Sequence, residues 1–572
     1  MSARATTLAA CLALASSGCS GELPAPIGAA HGADAAPTRG GTLRLATFGD
    51  VRSLDPANLA DGLAPMIDVL LYAGLVDYDA TSKIRPDLAE RWEITDGGKR
   101  VRFFIKPGAR FHDGEEVTAD DVKRSAERAL HPSTPNPYAS FYESIDGYEA
   151  YAAGKADELR GVVVEGRHVV SFVLTAPDAT FLPVMALMPL RPVCKSAGHR
   201  YSDAWQPCGA GPFKLAPGAW ERGRQAHVTR FERYHRAPEP YLDGVEFTFL
   251  VHLQTERFKF ERGELDVLRD FVQPDLLRFQ ADPRWAPFGE YEGERQIGGE
   301  AMNVEVPPFD RVEVRRAVAA AIDREQIRMI KSSNLRAAYQ AVPPGVPGHN
   351  DKLACQSYDL ARALDHMKRA GLEYDPATGK GGWPDTIPYL VYRQGLPEFT
   401  AQVLAQQLAK IGLRIEVRVV NYATFMALRG RRKRSPFGPG MWTQDYPHPA
   451  DFLEPLFHSK SISAEDSNNW SFYSNARLDE TLDRAKRELD DAKRQTFYDD
   501  AQKIVCDDAP WAFTYAFRWY TQRQPYVRGY RTHPMWTHDL STTWLDRVAG
   551  PTARRAVFSP GALGALFGGP RR

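Results

Sequence analysis

The sequence lacks the signatures of the common catalytic and metal sites. It contains no HExxH, no GxSxG and no CxxC motif, and no histidine is clustered with a cysteine. The glycine-rich run Asp375–Gly382 does not match a phosphate-binding loop, because its glycine spacing differs and neither Ser nor Thr follows Lys380. We therefore predict that the protein is not an enzyme and that it holds neither a metal ion nor another cofactor.

The chain also lacks an excess of either charge. Lys+Arg and Asp+Glu both total 72, so no basic surplus predicts nucleic acid as a partner. Beyond the N-terminus, no stretch approaches the roughly 20 apolar residues that a membrane span requires. The composition, with 25% charged and 43% hydrophobic residues, is that of a globular protein. At 572 residues the chain is too long for one core, which predicts two or three domains.

The N-terminus predicts a secretion signal. A short basic start and the apolar run Ala5–Ala15 precede Ser-Ser-Gly-Cys, which resembles the processing site of a bacterial lipoprotein. Cys19 would then be the lipidated residue, residues 1–19 the signal peptide and residues 20–39 a flexible tether. Cys11 fits the processing pattern better, but it leaves too short an apolar run unless the true start lies upstream.

Four cysteines remain once these two are set aside. In an oxidising compartment four cysteines suggest two disulfides. Cys194 and Cys208 are close in sequence and flank a loop, so we pair them, which leaves Cys355 with Cys506. The alternative is four buried thiols.

Hydrophobic periodicity predicts mixed α/β structure. Ile387–Tyr392 and Leu413–Val420 are predicted strands on either side of a helix over Glu398–Ile411, and such a β-α-β unit predicts a parallel sheet. A capping box opening at Thr118 predicts a helix that ends at Leu130. Apolar residues at roughly helical spacing, from Val314 through Ile322 to Met329, predict a helix capped near Asp310.

The stretch Gly440–Phe457 contains the candidate binding residue. It places the carboxylate of Asp445 among Trp442, Tyr446 and Phe452. We expect a lone acid there, and a lone acid among aromatic residues is costly unless a cation or N–H donors meet it. The interpretation is that Asp445 receives an ammonium group of a ligand, with Trp442 and Tyr446 as walls. The alternative is an ordinary turn aspartate, because Asp close to Pro is common turn chemistry.

A series of motifs, in order from about Arg39 to Asp546, resembles the solute-binding proteins of the peptide/nickel class (family 5) that feed ABC importers. The sequence is most similar to their oligopeptide-binding members. The motifs are Ser53-Leu54-Asp55-Pro56, Leu71–Leu75, Pro86–Trp92, Phe111–Gly114, Val117–Val122, Gly209–Leu215, Gly263–Asp266, Val312–Asp323 and the stretch around Asp445.

This resemblance implies an α/β fold of the two-lobed, periplasmic-binding-protein-like type II. The expected divisions are lobe I over 40–295 with an extra subdomain at about 76–175, lobe II over 296–510, a return to lobe I over 511–548, and a disordered tail over 549–572. Two strands near Gln296–Val304 and Trp511–Tyr515 are expected to cross between the lobes. Ligand is enclosed when such lobes close about their hinge.

The resemblance also implies roles for single residues. Asp445 matches the carboxylate that takes a peptide's α-ammonium group, and Arg429 falls where an arginine helps to receive the peptide's carboxylate. The remaining matches are the walls Trp442 and Tyr446, the pocket tyrosine Tyr138, and Asn303 and Tyr515 at the crossings. Two alternatives stay open, namely that Tyr138 is core packing and that Arg429 belongs to a solvated basic run.

Three positions depart from the family pattern. Gly298-Gly299 replaces a run of tyrosines, which suggests a wider or differently shaped pocket. Arg269-Asp270 stands where small polar or aromatic residues are usual, and His448 replaces a more common acid. Peptide remains the expected ligand class, while its length and side-chain preference stay open.

The function implied by the resemblance is capture of short peptides and their delivery to ABC transporter permease subunits. The protein would be a monomer in the periplasm or cell envelope, attached to the membrane through a lipid anchor only. One alternative is an envelope sensor or scaffold on the same fold, which the tail Gly550–Arg572 motivates. Another is a binder of a non-peptide solute, such as a metal chelate or a sugar.

Overall fold

The computed structural model describes residues 23–27, 36–58, 63–202, 204–331, 334–353, 355–392 and 397–546. The predicted signal peptide, Cys11, Cys19 and the tail 549–572 lie outside these residues. None of the helices in the described ranges is both long enough and apolar enough to cross a membrane.

The secondary structure is mixed α/β, as the sequence predicts. The strands are β1 Thr42–Ala46, β2 Val76–Tyr78, β3 Ile84–Pro86, β4 Ala89–Thr95, β5 Arg100–Ile105, β6 Val162–Gly166, β7 Val169–Val173, β8 Phe213–Glu221, β9 Gln225–Arg230, β10 Gly244–Thr248, β11 Val267–Leu268, β12 Gly289–Tyr291, β13 Gln296–Met302, β14 Leu335–Ala337, β15 Tyr374–Asp375, β16 Lys380–Gly381, β17 Thr386–Tyr392, β18 Arg414–Val420, β19 Phe437–Thr443, β20 Trp511–Phe517, β21 Tyr520–Arg523, β22 Val527–Arg528, β23 Arg531–His533, β24 Thr537–Asp539 and β25 Trp544–Leu545. The helices are α1 Pro65–Leu71, α2 Ala119–Leu130, α3 Tyr148–Ala152, α4 Phe181–Met185, α5 Leu253–Glu261, α6 Gln273–Ala281, α7 Val312–Ala321, α8 Arg324–Lys331, α9 Leu360–Arg369, α10 Pro397–Ala409, α11 Tyr422–Arg429, α12 Ala450–Phe457, α13 Ala476–Arg487 and α14 Asp491–Asp508.

The first lobe is built on three larger sheets, besides the two-stranded pairs β2-β3, β22-β25 and β23-β24. A four-stranded sheet has the order β1-β10-β9-β8, in which β1 and β10 run parallel. A three-stranded sheet has the order β11-β21-β12, so a strand from the end of the chain lies between two earlier ones. The extra subdomain is built on the antiparallel sheet β4-β5-β7-β6, whose buried residues form their own core.

The second lobe is organised around a six-stranded sheet with the order β14-β20-β13-β19-β17-β18. Strands β17 and β18 pair in parallel and α10 packs against both, which confirms the predicted β-α-β unit. The apolar side chains of β17 and α10 join a core with those of α7.

Two neighbouring strands carry the chain between the lobes. Strands β13 and β20 pair antiparallel in the second lobe, while β12 and β21, which adjoin them in sequence, pair in the first lobe. The chain therefore passes twice between the lobes, side by side, which makes this pair the hinge of a two-lobed fold. For these lobes we propose the domain boundaries expected from the sequence.

The helix predicted from Val314 to Met329 is two helices, so that prediction was wrong. The Asp323 side chain accepts the backbone N–H groups of Glu325 and Gln326, and such an acceptor begins a new helix. Met329 is 68% exposed, so its helical spacing reflects no core position. The capping box at Thr118 is present, and its helix ends at Leu130 as predicted.

The structure brings both predicted cysteine pairs to bonding distance. The Cα atoms of Cys194 and Cys208 are 5.5 Å apart, and those of Cys355 and Cys506 are 5.3 Å apart. Both separations lie within the range that a disulfide spans.

The lobes also touch at a point outside the hinge. The backbone N–H of Ala179, next to the extra subdomain's core, donates to the carbonyl of Lys486 at 2.8 Å. The Lys486 ammonium lies 3.6 Å from the carboxylate of Glu143. The end of α13 therefore rests on the extra subdomain.

Close approach of β20 to β13 requires a glycine at position 299. A Cβ atom built there would lie 2.5 Å from the carbonyl oxygen of Ala512, which is backbone and cannot rotate away. We predict that Gly299→Ala lowers the free energy of unfolding by about 1–3 kcal/mol, as overpacking does. Chemical denaturation measures this change.

Gly166→Ala is the matched control for this substitution. Apart from its chain neighbours, no atom of the described residues lies within 4 Å of the position that the added methyl group would take. This variant should unfold like the wild type, and equal stability of the two variants would contradict the prediction.

Candidate functional site

The loop between β19 and α12 places Asp445 against the extra subdomain. The following residue, Tyr446, is 6% exposed and packs into that subdomain's core, with its ring centroid 5.5 Å from that of Phe141. The Tyr138 hydroxyl interacts with the Asp445 carboxyl group. Asp445 therefore lies between the two lobes, and the pocket tyrosine predicted from the sequence is its neighbour.

Asp445 is not a lone acid, so the expectation from the sequence was wrong on this point. Its backbone N–H donates to Oδ2 of Asp451 at 2.8 Å, and Asp451 is 1% exposed. The indole of Trp442 and the N–H of Tyr446 also interact with the Asp451 carboxyl group. Asp451 lies in the first turn of α12, where an acid is favoured, but no helix is predicted there from the sequence, so no signal pointed to it.

The two carboxyl groups titrate as a pair. Burial raises the pKa of Asp445 to about 7, against a smaller lowering by the Tyr138 hydroxyl. Burial, followed by the neighbouring Asp445, raises the pKa of Asp451 well above its usual range. Because burial and the neighbouring like charge both disfavour ionisation, the pair gives up its protons less readily than exposed carboxyl groups do.

Arg429 is the cationic group of the site, in the second lobe, as Asp445 and Asp451 are its acidic groups. Its guanidinium lies 3.5 Å above the ring of Trp470 and 4.9 Å from that of Phe425. Burial lowers the pKa of Arg429 to about 10, while Tyr422 and Tyr392 act in the opposite direction. Within the described ranges no carboxylate pairs with this guanidinium, and its Nε lacks an acceptor.

The neighbouring basic run differs from Arg429. Arg431 and Arg432 are half-exposed and form ion pairs with Glu465 and Glu305. The interpretation of Arg429 as one more residue of a solvated run therefore does not describe its surroundings.

Trp442 connects the acidic and basic parts of the site. Its indole contacts Asp451, and its ring centroid is 6.4 Å from that of Trp470, on which Arg429 lies. Trp470 in turn stacks on Trp511 of β20, with ring centroids 5.4 Å apart. The aromatic wall predicted at Trp442 thus reaches from the carboxyl pair to the arginine and to the hinge strand.

Gly298 does not leave an open space at the hinge. A Cβ atom at this position would lie 2.2 Å from Cζ of Tyr515, because the tyrosine ring lies across the glycine. The Tyr515 ring takes up the space beside Gly298, and the expectation of a wider or differently shaped pocket stays a prediction. Tyr515 is a neighbour of Tyr392, which places it on the Arg429 side of the site.

Asn303 contacts neither the carboxyl pair of Asp445 and Asp451 nor Arg429. It is 1% exposed, its Nδ2 donates to the carbonyl of Ser435 at 3.3 Å, and its Oδ1 accepts the N–H of Glu305. These contacts fix the turn after β13. Its predicted role in ligand binding stays a prediction.

At the two other positions that depart from the family pattern, Arg269 and His448 contact groups of the protein itself. Arg269 pairs with Glu292 at 2.8 Å, and Arg295 pairs with the same carboxylate at 2.7 Å. Burial lowers the pKa of His448 to about 3, so this histidine is neutral, and it packs against Tyr446 and Tyr498.

Two lobes joined by a pair of strands, with charged and aromatic residues gathered at their junction, define a receptor that encloses a small solute. The family model described as bacterial extracellular solute-binding proteins, family 5 Middle, matches residues 83–464. The chain belongs to this family.

Curated relatives and solved structures agree over most of the chain. The probable deoxycholate-binding periplasmic protein YgiS of Escherichia coli (strain K12) is 28% identical, with 86% of this chain and 90% of the relative covered. The dipeptide-binding protein of the same organism is 25% identical, with 90% and 96% covered. The solved structure of clavulanic acid biosynthesis oligopeptide binding protein 2 has a TM-score of 0.80 and 25% identity, with 91% and 99% covered.

The carboxyl pair predicts a pH dependence of stability in the ligand-free protein. Folding raises the pKa of Asp445 to about 7, so the folded state holds this proton more tightly than the unfolded state does. The resulting contribution to the free energy of unfolding is fully present below the unfolded pKa of about 4 and is lost as the pH rises through 7. Asp445→Asn removes this titration. We expect the variant to gain about 1–2 kcal/mol relative to wild type between pH 6 and pH 8. Chemical denaturation of protein refolded without ligand measures this.

Asp385→Asn is the control for this experiment, because Asp385 is an exposed carboxylate of the second lobe. Its stability should follow that of the wild type at every pH. Parallel profiles for wild type and Asp445→Asn would show that Asp445 does not titrate in this range.

Proposed function

We propose that this protein captures short peptides outside the cytoplasm and delivers them to the permease of an ABC transporter. The observation that carries the proposal is the position of Asp445, a carboxyl group held between the lobes beside Tyr138 and backed by Asp451. A buried carboxylate needs a cation, and the α-ammonium of a peptide supplies one through charge-assisted hydrogen bonds.

Arg429 supports a ligand of both charges. A half-buried guanidinium without a carboxylate partner in the described part of the chain is costly, and an arriving carboxylate would form the missing pair. A peptide carries an ammonium at one end and a carboxylate at the other, which matches the two charged parts of the site. Recognition of the termini and backbone leaves side chains free to vary, so such a receptor can accept many sequences.

The names of the relatives include ligands without an ammonium group. One relative is named for deoxycholate, which is a steroid carboxylate, and another is named for heme. A carboxylate placed at Asp445 would meet two acids rather than a cation, so this part of the site favours a solute with an amino group. Mass spectrometry of ligand that copurifies with the protein separates peptides from a steroid, a metal chelate or a sugar, and a sensor or scaffold without a solute would bring none.

Removal of the charge at Asp445 tests the proposal directly. Asp445→Asn should fold and weaken peptide binding by about 30-fold to several thousand-fold, because loss of one partner of a desolvated charge pair costs roughly 2–5 kcal/mol. N-acetylated peptides should bind the wild type poorly, because acetylation removes the cation. The variant should discriminate less against them. Calorimetric titration with a library of di- to pentapeptides measures these affinities.

Asp385→Asn again serves as the control and should bind peptides like the wild type. Unchanged affinity in a folded Asp445→Asn protein would remove the residue on which the proposal is centred. A library in which no peptide binds at micromolar concentration would refute peptide capture altogether.

We further propose that the mature protein is a monomeric lipoprotein of the cell envelope, attached through Cys19, and that both cysteine pairs are oxidised to disulfides there. The support is the N-terminal sequence and the close approach of the two pairs. Intact-mass measurement on protein isolated from membranes should show a diacylglycerol-sized increment at a chain beginning at Cys19 and the loss of four thiol protons. A soluble, unlipidated chain with four free thiols would contradict this.

A further inference from the structure

A separate cavity of about 580 Å³ lies where the first lobe meets the hinge. None of the residues of the Asp445 and Arg429 clusters lines it. Its volume falls within the range of small-molecule sites. Most of its wall is apolar, and the side chains responsible are Phe48, Leu250, Phe271, Phe517, Trp519 and Tyr520.

The cavity occupies the part of the first lobe where ligands are expected. Strands β1 and β10 run parallel with Ala46 opposite Thr248, and Phe48 and Leu250 each follow two residues later. The segment that begins at Arg269 follows directly after β11. In α/β sheets the ligand lies beyond the carboxyl ends of the parallel strands. The loops that follow β1 and β10 therefore present the apolar side chains of Phe48 and Leu250 to the cleft.

Strand register places the cavity within reach of Asp445. Phe517 is paired with Gln296, and Gln296 is paired with Thr443, so two strand spacings separate Phe517 from Thr443. Two spacings amount to about 10 Å, and Asp445 lies two residues further, which adds at most about 7 Å. A solute with the length of a tri- to pentapeptide covers this distance, because an extended residue spans about 3.4 Å.

Leu250 is held in an unfavourable conformation at the rim. Its φ angle is +56°, and its side chain is 59% exposed. A non-glycine residue in the left-handed region is costly, and Asn or Gly would relieve that cost. Phe48, on the adjoining loop, is 58% exposed. Stability alone does not account for two large apolar side chains in water at the mouth of one cavity, and strain of this kind is typical of ligand contacts.

Beside the cavity, the arginine is paired and the two carboxyl groups have raised pKa values. Arg269 is paired with Glu292. Burial raises the pKa of Asp270, and burial together with Asp270 raises the pKa of Glu256 to about 9. The wall therefore suits an uncharged group rather than a ligand carboxylate.

We propose that this cavity is a side-chain subsite, which selects peptides carrying a large apolar or aromatic residue beyond the first position. The inference rests on the proposed function, because it takes the ammonium group of the same peptide to lie at Asp445. The receptor would then bind the charged ends that all peptides share and would select among peptides by a side chain between those ends.

A phenylalanine scan of tetra-alanine tests the subsite. Calorimetry should find one position after the first at which Phe improves affinity roughly 10- to 100-fold over Ala, as burial of an aromatic side chain predicts. In Leu250→Asn the improvement should fall by about 3- to 10-fold, while the affinity for tetra-alanine stays that of the wild type. Phe48→Ser provides a second variant with the same expected pattern.

Leu277→Asn is the matched control, because Leu277 is an exposed leucine of α6 that does not line the cavity. Its Phe scan should equal that of the wild type. Leu250→Asn should melt no earlier than wild type, since Asn tolerates the left-handed conformation. A flat Phe scan with tetra-alanine binding that still depends on Asp445 would overturn the subsite and leave the proposed function standing. Absence of binding by every peptide would overturn both.

Discussion

Taking a carboxyl pair out of water is the constraint around which the junction of the lobes is built. Asp451 is fully buried and is met by the backbone N–H of Asp445 and by Trp442. For the Asp445 carboxyl group, the described part of the chain supplies the Tyr138 hydroxyl. The second lobe thus gives Oδ2 of Asp451 a donor but leaves its Oδ1 without one, and the Asp445 carboxyl group is likewise incompletely compensated, at a place where both lobes contribute a wall. A receptor gains specificity when only the right ligand supplies the partner that such a carboxyl group lacks.

The hinge and the site share the same strands. Trp511 and Tyr515 of β20 face the aromatic wall, while Gly298 and Gly299 of β13 allow that strand to pass close beneath them. The glycine at position 298, which looks like a lost ligand contact in the sequence, is thus the condition for Tyr515 to lie where it does. Any shift between the two strands is transmitted to the wall that they support, which couples lobe movement to the shape of the site.

Local sequence patterns were sufficient wherever a feature depends on near neighbours. The β-α-β unit, the capping box at Thr118 and the cysteine pairs follow from periodicity and spacing. The break at Asp323 was missed because the helical spacing continues across it. The carboxyl pair and the aromatic surroundings of Arg429 depend on loops and strands far apart in the sequence, and no spacing rule brings these together. Family resemblance, rather than periodicity, supplied Tyr138 and Arg429 as candidates.

The order of segments in the first lobe has a consequence for synthesis. Strand β21 lies between β11 and β12, and the indole of Trp536 donates to Asp77 within the extra subdomain's core region. One sheet of the N-terminal lobe therefore lacks its central strand, and the extra subdomain lacks part of its core, until almost the whole chain has left the ribosome. Contacts of such long sequence separation form slowly, because loop closure must come first. The nascent chain thus stays incompletely folded for nearly its entire length, the state in which a polypeptide can still be threaded through a narrow channel.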